Sequence, residues 1–485
     1  MINFTANQMK IVLRIVLVVI FLSTTGLLAA EWQGTHAIPH VDGTLLSIFW
    51  AIPFVGILLS IALMPLLVPH FWHNNFGKVS FFWAITFIIP FLFIEGYSVT
   101  LYEVLHIILL DYIPFIILLL ALFTISGGIR LKGTLVGTPL LNSVIILIGT
   151  ILASWMGTTG AAMLLIRPLI RANKHREHKV HIMVFFIFLV ANIGGSLTPL
   201  GDPPLFLGFL KGVDFFWTTT AMFKPMLFMV IALLLIFYFL DSRFYNREDH
   251  SNQSDTIKKE KLSIEGSLNF LFLLGVIASV LMSGMWNPHV SFTIYGVELK
   301  LPNLLRDLLL LLLTVLSWLF TSKSLRKKNQ FTWFPIQEVA KLFAGIFITI
   351  IPAIAILKAG ADGALAAVIN SVSANGEPIN CMYFWATGIL SSFLDNAPTY
   401  LVFFNTAGGN ATELMGPLHT TLLAISVGAV FMGANTYIGN APNFMVKSIC
   451  EEQDIAMPSF FGFMLKYSLP ILVPLFVLVT FIFFL

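Results

Sequence analysis

The sequence predicts an all-α polytopic membrane protein. We expect two inverted-topology repeats, each with about five transmembrane helices plus a re-entrant hairpin, and discontinuous helices at the centre. Three observations support this prediction. The 485 residues are 58% hydrophobic and only 11% charged, and apolar stretches long enough to cross a bilayer recur along the chain. Glycine and proline interrupt two of these stretches in the middle. The second interruption repeats the pattern of the first one further along the chain.

The first interruption lies in residues 191–209, within an apolar run that should cross a membrane. Proline removes a backbone donor and clashes with the preceding helical turn. In hydrocarbon, freed backbone groups are tolerated only where protein buries them or where they line a polar cavity. We therefore expect the helix to unwind at residues 198–204 and then to resume. Asp202 lies in this break, where a carboxylate is costly and commonly functional.

The second interruption follows after 238 positions, which indicates an internal duplication. At this offset Gly195, Thr198, Gly201, Pro204 and Phe206 recur as Gly433, Thr436, Gly439, Pro442 and Phe444. Identities in the same register also join residues 113–121 to 351–359, and residues 151–154 to 389–392. We therefore divide the chain into a first repeat at 44–240, a cytoplasmic linker at 241–263 and a second, inverted repeat at 264–485.

Residues 1–43 precede the first repeat. Lys10 and Arg14 stand before an apolar run at residues 15–22, and small residues follow this run. This pattern fits a signal peptide, and it fits an uncleaved first transmembrane span equally well. In either case an external segment follows.

The apolar run at residues 140–166 should be a re-entrant hairpin. Its centre is interrupted at residues 157–160, and both of its flanks are basic. Lysine and arginine mark the cytoplasmic side of a membrane protein, and a segment that begins and ends on one side does not cross. The basic flanking residues are Arg130, Lys132, Arg167, Arg171, Lys174, Arg176 and Lys179.

A second hairpin is expected at residues 382–404, with its interruption at residues 394–399. The segments 361–380 and 405–419 on either side of it contain no lysine or arginine, so this hairpin should enter from the exterior. Each half then has five crossings, and this odd number inverts the second copy. Lys300 and Arg306, on the expected exterior, depart from the charge rule.

The polar turns of both halves should converge near the middle of the membrane. They offer hydroxyls, amides, unwound carbonyls and helix termini, which suit a small alkali cation or a site that takes up protons. The expected ion- or substrate-binding residues are Thr158, Thr159, Thr198, Asp202, Asp395, Asn396, Thr399, Asn435, Thr436 and Asn440. A desolvated carboxylate in such a site can hold either a proton or a sodium ion. The alternative is that Asp202 and Asp395 only cap helices.

Several other residues have two interpretations or carry little chemistry. Lys358 is either a counter-charge for one of these carboxylates or a lysine that extends to the interface. Glu95, Glu103 and Asp111 should be interfacial. The histidines and the two cysteines lack the spacing of a transition-metal site, and no nucleophile motif of a soluble enzyme is present. A net charge of +3 without a basic stripe does not indicate nucleic-acid binding.

Residues 192–204, which read NIGGSLTPLGDPP, resemble the signature of the ion transporter superfamily. This group includes NhaD-type sodium/proton antiporters, ArsB-type arsenite permeases, and citrate or dicarboxylate carriers. Residues 112–116, 126–129 and 395–399 look like the antiporter and arsenite branches. The first hairpin departs from this pattern, because residues 157–160 read GTTG where relatives often carry an aspartate and an asparagine. The Ser-Asn-Thr triplet of dicarboxylate carriers is absent from both hairpins.

The resemblance implies a secondary active transporter that works by alternating access, commonly as a homodimer in the plasma (inner) membrane. We expect sodium or lithium/proton antiport, with sodium ions and protons as the transported and coupling ions and no cofactor. Arsenite or antimonite efflux is the second alternative, and citrate or dicarboxylate transport is the third. An ion channel is the competing class, but two unlike halves with hairpins from opposite faces suit alternating access better. The lipid bilayer is the expected environment.

Overall fold

The computed structural model describes residues 41–248 and 260–485, and this part of the chain is mostly helical. The predicted signal peptide or first span lies outside the described residues, and so does the external segment after it, apart from residues 41–43. Residues 249–259 of the predicted linker also lie outside them. The helix at the end of the first repeat continues to Tyr245, so the linker begins later than expected.

Helices account for most of the described chain, and they divide into a first and a second set along the sequence. In the first set, α1 to α8 are Ile52–Leu67, Pro69–Ile107, Ile113–Ser126, Pro139–Met156, Thr158–Ala172, Val180–Leu189, Pro203–Leu210 and Phe215–Tyr245. In the second set, α9 to α20 are Leu268–Met285, Leu301–Phe320, Lys323–Lys328, Phe334–Lys358, Ala366–Val372, Asn380–Leu394, Asn396–Thr406, Ala411–Met415, His419–Met432, Ala441–Glu451, Phe460–Phe463 and Leu469–Phe483.

Six short strands form three antiparallel pairs outside the helices. β1 (Arg130–Lys132) pairs with β2 (Ser263–Glu265), β3 (Ser291–Ile294) with β4 (Val297–Lys300), and β5 (Ser373–Ala374) with β6 (Glu377–Pro378). The first pair joins the loop before α4 to the segment before α9. Arg130 donates a 3.0 Å hydrogen bond to Glu265 across this pair, which lowers the pKa of the Glu265 carboxyl.

Eight helical segments of the described chain are long and apolar enough to cross a membrane. One of them is a continuous helical run, Pro69–Ser126, which is long enough for two spans. This run is bent at Gly96, whose φ of 82° is a conformation that glycine adopts without strain. The backbone therefore changes direction there without a loop.

The first central break begins earlier than the prolines alone predict. α6 ends at Leu189, a short 3₁₀ turn follows at Ile193–Ser196, and α7 begins at Pro203. The side-chain amide of Asn192 donates to the carbonyl of Ile187 at 2.7 Å and so satisfies a carbonyl at the end of α6. The prolines lie in the first turn of α7, where a missing N–H leaves no hydrogen bond unmade.

The second break repeats the local hydrogen bonds of the first one at the same offset. The hydroxyl of Thr198 donates to the carbonyl of Ser154, and the hydroxyl of Thr436 donates to the carbonyl of Ser392. The Ser154 hydroxyl bonds the carbonyl of Gly194, whereas the Ser392 hydroxyl bonds that of Met432. Each threonine thus connects its break to the C-terminal end of the helix before the hairpin tip, which is α4 in the first half and α14 in the second.

Two glycine pairs explain why the breaks are so tight. A Cβ on Gly201 would lie 2.2 Å from the carbonyl oxygen of Gly195, and one on Gly439 would lie 2.6 Å from that of Gly433. Both approaches are backbone against backbone, so the neighbouring atoms have no rotamer by which to move away. Glycine at these positions therefore allows the chain to fold back on itself.

The two short central helices α6 and α17 form the middle of the core. Every residue of α6 after Val180 is buried, and from Thr421 onward so is every residue of α17. Helices too short to span the bilayer are thus surrounded by protein rather than by lipid. This arrangement buries the broken backbone, as its unpaired polar groups require.

A buried ionic cluster fixes the base of the helical hairpin formed by α4 and α5. Arg176 contacts Asp241 at 2.8 Å and Glu248 at 2.5 Å, and all three side chains are less than 5% exposed. Asn142 in α4 donates to Asp241 at 2.9 Å, and the His181 ring nitrogen Nε2 lies 2.9 Å from the same carboxylate. The cluster therefore joins both ends of the hairpin to α6 and α8.

Arg326 in α11 makes a comparable connection in the second half. Its guanidinium donates to the carbonyls of Thr124 and Ser317, and it lies over the rings of Trp318 and Phe331. Burial lowers the pKa of Arg326 to about 10, so this side chain remains charged at neutral pH. Its charge is held by carbonyl dipoles and aromatic faces.

We predict that Arg176→Gln lowers the stability of the protein by about 3–5 kcal/mol, because it leaves two carboxylates buried without their cation. The matched control is Arg130→Gln, which removes a partly exposed pair with Glu265 and should cost about 0–1 kcal/mol. Thermal unfolding in detergent measures both variants. Equal shifts in Tm would contradict the structural role of the cluster.

Candidate functional site

The carboxylate of Asp202 is the meeting point of the two central breaks. The side chain is buried and accepts three hydrogen bonds, from Thr158 Oγ1 at 3.2 Å, Asn396 Nδ2 at 2.5 Å and Asn440 Nδ2 at 2.9 Å. Thr158 belongs to the same half of the chain as Asp202, whereas both asparagines belong to the other half. One carboxylate thus joins the two halves.

The four residues of this cluster occupy two pairs of equivalent positions. Asn440 lies 238 positions after Asp202, and Asn396 lies the same distance after Thr158. The first pair stands immediately before α7 and α18, and the second pair opens α5 and α15. We call this cluster the Asp202 centre. The two halves of the chain contribute to it from equivalent positions but with different side chains.

Four helix N-termini are directed to the region of the Asp202 centre, those of α5, α7, α15 and α18. The first N–H groups of a helix lack partners within the helix and carry a partial positive charge. These termini stabilise negative charge on Asp202 together with the amide and hydroxyl donors. The same positive potential would also attract an anionic solute.

Asp395 caps α15 and does not hydrogen-bond to Asp202. Its carboxylate accepts from the backbone N–H of Ala397 at 3.1 Å, and the hydroxyl of Thr399 donates to its carbonyl at 2.7 Å. Asp395 therefore makes the helix-capping contact that was the alternative to a role in ion binding. Asp395 directly precedes Asn396, whose side-chain amide donates to Asp202. Its role in ion exchange stays a prediction.

The backbone of Asp395 is strained. It has φ 72° and ψ 141°, and its counterpart Gly157 has nearly the same values, φ 79° and ψ 148°. This region of conformational space is almost restricted to glycine, and another residue there costs on the order of 1–3 kcal/mol. A charged residue has therefore been kept in a position that glycine fills in the other half.

The other residues predicted for the site have diverse positions. Thr159 lines a cavity beside the Asp202 centre. Thr198 and Thr436 hold the breaks to the hairpins, as described above, so their observed contacts are with the backbone. The side-chain amide of Asn435 donates to the Ser392 hydroxyl at 3.0 Å.

Two lysines, Lys358 and Lys211, lie at the ends of helices near this region. Lys358 is exposed at the end of α12, and the charges that act on it are Lys211, Glu103 and Asp111, not Asp202 or Asp395. Asp111 was expected at the interface but is 1% exposed and contacts Lys211 at 2.6 Å. A π-helical turn at Ile108–Tyr112 turns its carboxylate inward, towards the end of α7.

Asn192 and Asn443 connect the two breaks and were not among the predicted site residues. Asn192 Nδ2 donates to Asn443 Oδ1 at 2.7 Å, and Asn443 in turn donates to the carbonyls of Gly433 and Thr436. The signal that could have indicated them is an asparagine within or beside an otherwise apolar helix, where an amide needs partners.

Three amide oxygens near the centre lack a hydrogen-bond donor within the part of the chain that the structure describes. They are Oδ1 of Asn192, Asn396 and Asn435, and all three are buried. An unpaired buried acceptor costs about 1–3 kcal/mol. Carbonyl-type oxygens of this kind are ligands for hard cations, so these atoms fit a sodium ion better than a transition metal.

A cavity of about 100 Å³ reaches Asp202 from one side of the protein. Its polar lining comes from Thr158, Thr159 and Asp202, and its walls come from α3, α12 and α18. No lysine or arginine is among the described residues that line it. The volume exceeds that of one water molecule, so the cavity has room for a hydrated ion or a small solute.

Comparison with known proteins places the chain among transporters. The family model described as "Putative citrate transport" (CitMHS_2) matches residues 43–484, and the protein therefore belongs to this family. None of the curated proteins matches the chain. Family membership and the eight candidate spans together show a multi-pass membrane protein of an ion transporter-type family, which agrees with the prediction that it is not an enzyme. The resemblance to the antiporter and arsenite branches stays a prediction.

We predict opposite stability effects at the two hairpin tips. Asp395→Gly should raise the free energy of unfolding by about 1 kcal/mol, because relief of backbone strain exceeds the few tenths lost when glycine replaces a helix cap. Gly157→Ala should lower it by a similar amount, since its Cβ meets only ordinary contacts beyond 3.4 Å but must take φ 79°. Unfolding midpoints in detergent check both values. A destabilised Asp395→Gly protein would refute the assignment of strain.

Proposed function

We propose that this member of the family is a cation-coupled secondary active transporter that exchanges sodium or lithium ions for protons. The observation that carries the proposal is the Asp202 carboxylate, which is buried among hydroxyl and amide donors and accepts no hydrogen bond from a lysine or arginine of residues 41–248 and 260–485. A charge within the membrane is costly unless another charge neutralises it. Either a proton or a sodium ion would neutralise Asp202, and competition between the two is sufficient for exchange.

The unpartnered amide oxygens support a cation at this position. The Nδ2 group of Asn396 donates to Asp202. The Oδ1 atom of the same side chain is buried and accepts no hydrogen bond from the described residues, so it is available to a further ligand. We infer that the transported cation is held by the Asp202 carboxylate together with such oxygens. Release of the cation would then leave the carboxylate to take up a proton.

Asp395 is the second carboxylate of the proposed mechanism. Its hairpin tip, with Asn396 beside it and no obvious partner for its charge in the sequence, predicts that Asp395 is the exchanging group and that Asp202 only tunes the site. The contacts instead favour Asp202, which bridges both halves. We propose that Asp202 holds the ion and that Asp395 changes the affinity of the centre through its charge. The strain at Asp395 supports a functional role, because a plain cap would not require a charged residue at φ 72°.

We further propose that the two halves are inverted repeats with re-entrant hairpins, and that they move against each other to alternate access. The support is the fixed offset of the sequence identities, the repeated threonine and serine hydrogen bonds, and the basic flanks of the first hairpin. The donors to Asp202 come from both halves. Movement of one half would therefore change the surroundings of the carboxylate directly.

Transport of citrate or a related organic acid is the second candidate, and the family description is the observation that favours it. The four helix N-termini would attract its carboxylates. Because no lysine or arginine is among the described residues lining the cavity, such an anion would need to enter together with sodium ions or protons. Arsenite efflux and a channel are the remaining alternatives, with only the resemblance and the paired breaks in their favour.

We predict that Asp202→Asn abolishes sodium-dependent proton movement in reconstituted vesicles. The amide keeps the size of the side chain but holds neither a proton nor a sodium ion by charge. Asp395→Asn should retain exchange with a changed apparent sodium affinity. The matched control is Asp362→Asn, which replaces an exposed carboxylate and should leave exchange unchanged.

The same vesicles separate the alternatives. Sodium, lithium, labelled citrate and arsenite are tested as substrates, with proton flux measured in each case. Full exchange by the Asp202→Asn protein would contradict the proposed mechanism. Sodium-driven citrate uptake by the wild type would instead favour the second candidate, and ion flux without coupled proton movement would indicate a channel.

The proposed topology predicts where single cysteines react with an impermeant reagent, in a variant without Cys381 and Cys450. Cysteines at Lys132 and Lys174 should be labelled only from the cytoplasm, because they flank one re-entrant hairpin. A cysteine at Glu377, an exposed residue before α14, should be labelled only from the exterior. Labelling of positions 132 and 174 from opposite sides would make the first hairpin a crossing span.

A further inference from the structure

We propose that a basic pocket at the base of the α4–α5 hairpin binds the phosphate headgroup of an anionic phospholipid. The pocket has a volume of about 90 Å³ and lies between the loop before α4 and the loop after α5. Four of its nine lining residues are basic and none is acidic; the full lining is Thr134, Leu135, Val136, Gly137, Arg171, Ala172, Lys174, His175 and Arg176. It is separate from the Asp202 centre, with which it shares no residue.

The charges around the pocket are not balanced. Arg176 is neutralised by Asp241 and Glu248 in the buried cluster described above. Arg171 and Lys174 are exposed and have no acidic partner within 4 Å among residues 41–248 and 260–485; the only hydrogen bond of the Arg171 guanidinium goes to the carbonyl of Leu131. Two unpaired cations at the mouth of a concave site attract a phosphate group.

Two acids of the neighbouring strand pair are engaged with other cations. Glu260 lies 3.7 Å from Lys132, and Glu265 lies 3.0 Å from Arg130 in the strand pair β1–β2. Neither of these acids is paired with Arg171 or Lys174, and Glu177, which follows Arg176, is exposed and is not ion-paired with either of them. His175 adds a further ring nitrogen to the same rim.

An apolar face of α4 continues directly from the pocket. Leu140, Val144, Ile148 and Ile151 recur at helical spacing on this face and are 67%, 41%, 46% and 54% exposed. The first of them is only three residues from Gly137, which lines the pocket. A headgroup in the pocket would thus place its acyl chains along exposed leucine, valine and isoleucine side chains.

This continuity favours a lipid over a soluble anion. Free phosphate would use the cations and gain nothing from the apolar face, whereas a phospholipid uses both. Basic pockets between membrane helices on the cytoplasmic side are suited to anionic headgroups, and each lysine or arginine there contributes to the attraction. A second copy of the chain would cover the apolar face but would not require the unpaired cations.

The test measures binding of phosphatidylglycerol by the full-length protein in detergent, with phosphatidylcholine and inorganic phosphate as comparison ligands. We expect phosphatidylglycerol to raise the Tm of the wild type, and the other two ligands to have little effect. The Lys174→Gln and Arg171→Gln double variant should bind phosphatidylglycerol roughly 30-fold more weakly, as expected for the loss of two membrane-facing cations.

The matched control is the Lys323→Gln and Lys327→Gln double variant, which removes the same charge from exposed positions of α11 and should bind as the wild type does. Because Arg171 also supports the β1 strand, the Lys174→Gln single variant is measured separately and should weaken binding by itself. Unchanged lipid affinity in both pocket variants would overturn the proposal. So would an equal effect of inorganic phosphate, or disulfide crosslinking between two copies through a cysteine at Ile148.

Discussion

The hydrogen bonds to the Asp202 carboxylate are the interaction on which the centre of this protein depends. Thr158 donates from one half of the chain, and Asn396 and Asn440 donate from the other. A buried carboxylate deprived of such donors would be far more costly than any single hydrogen bond gained elsewhere. The two halves therefore cannot separate at this point unless water or an ion replaces the lost donors. Under the proposed function, occupancy of the centre and the relative position of the halves would be coupled for this physical reason.

The breaks themselves follow from the same requirement that polar groups be satisfied away from water. Glycine allows the backbone of each break to approach itself, and threonine hydroxyls bond the carbonyls that the ends of the α4 and α14 helices leave open. The surrounding helices then exclude lipid from α6 and α17. Freed carbonyls such as those of Gly194 and Leu197 accept hydrogen bonds within the protein, which stabilises the broken helices.

The sequence predicted the helical architecture and the location of both breaks, because apolar length, glycine and proline act locally. It placed Asp202, Thr158, Asn396 and Asn440 among the site residues but could not pair them, since their contacts join positions up to 238 residues apart. It missed the Asn192–Asn443 bond and the burial of Asp111 for a related reason. The sequence does not distinguish an amide or carboxylate that faces solvent from one that bonds another helix. The packing of the helices determines which of the two partners the group has.

The differences between the two halves matter as much as their likeness. At the break, the first half has Asp202 where the second has Asn440, and these side chains lie 2.9 Å apart. A second aspartate at position 440 would bring two carboxylates into contact, and such a pair cannot both be ionised. The amide instead donates to the single carboxylate. At the hairpin tips the pattern is reversed, with Gly157 in the first half and Asp395 in the second. Each half thus contributes one carboxylate from a different element, so that both are held near one centre without direct contact, at the cost of a strained backbone at Asp395.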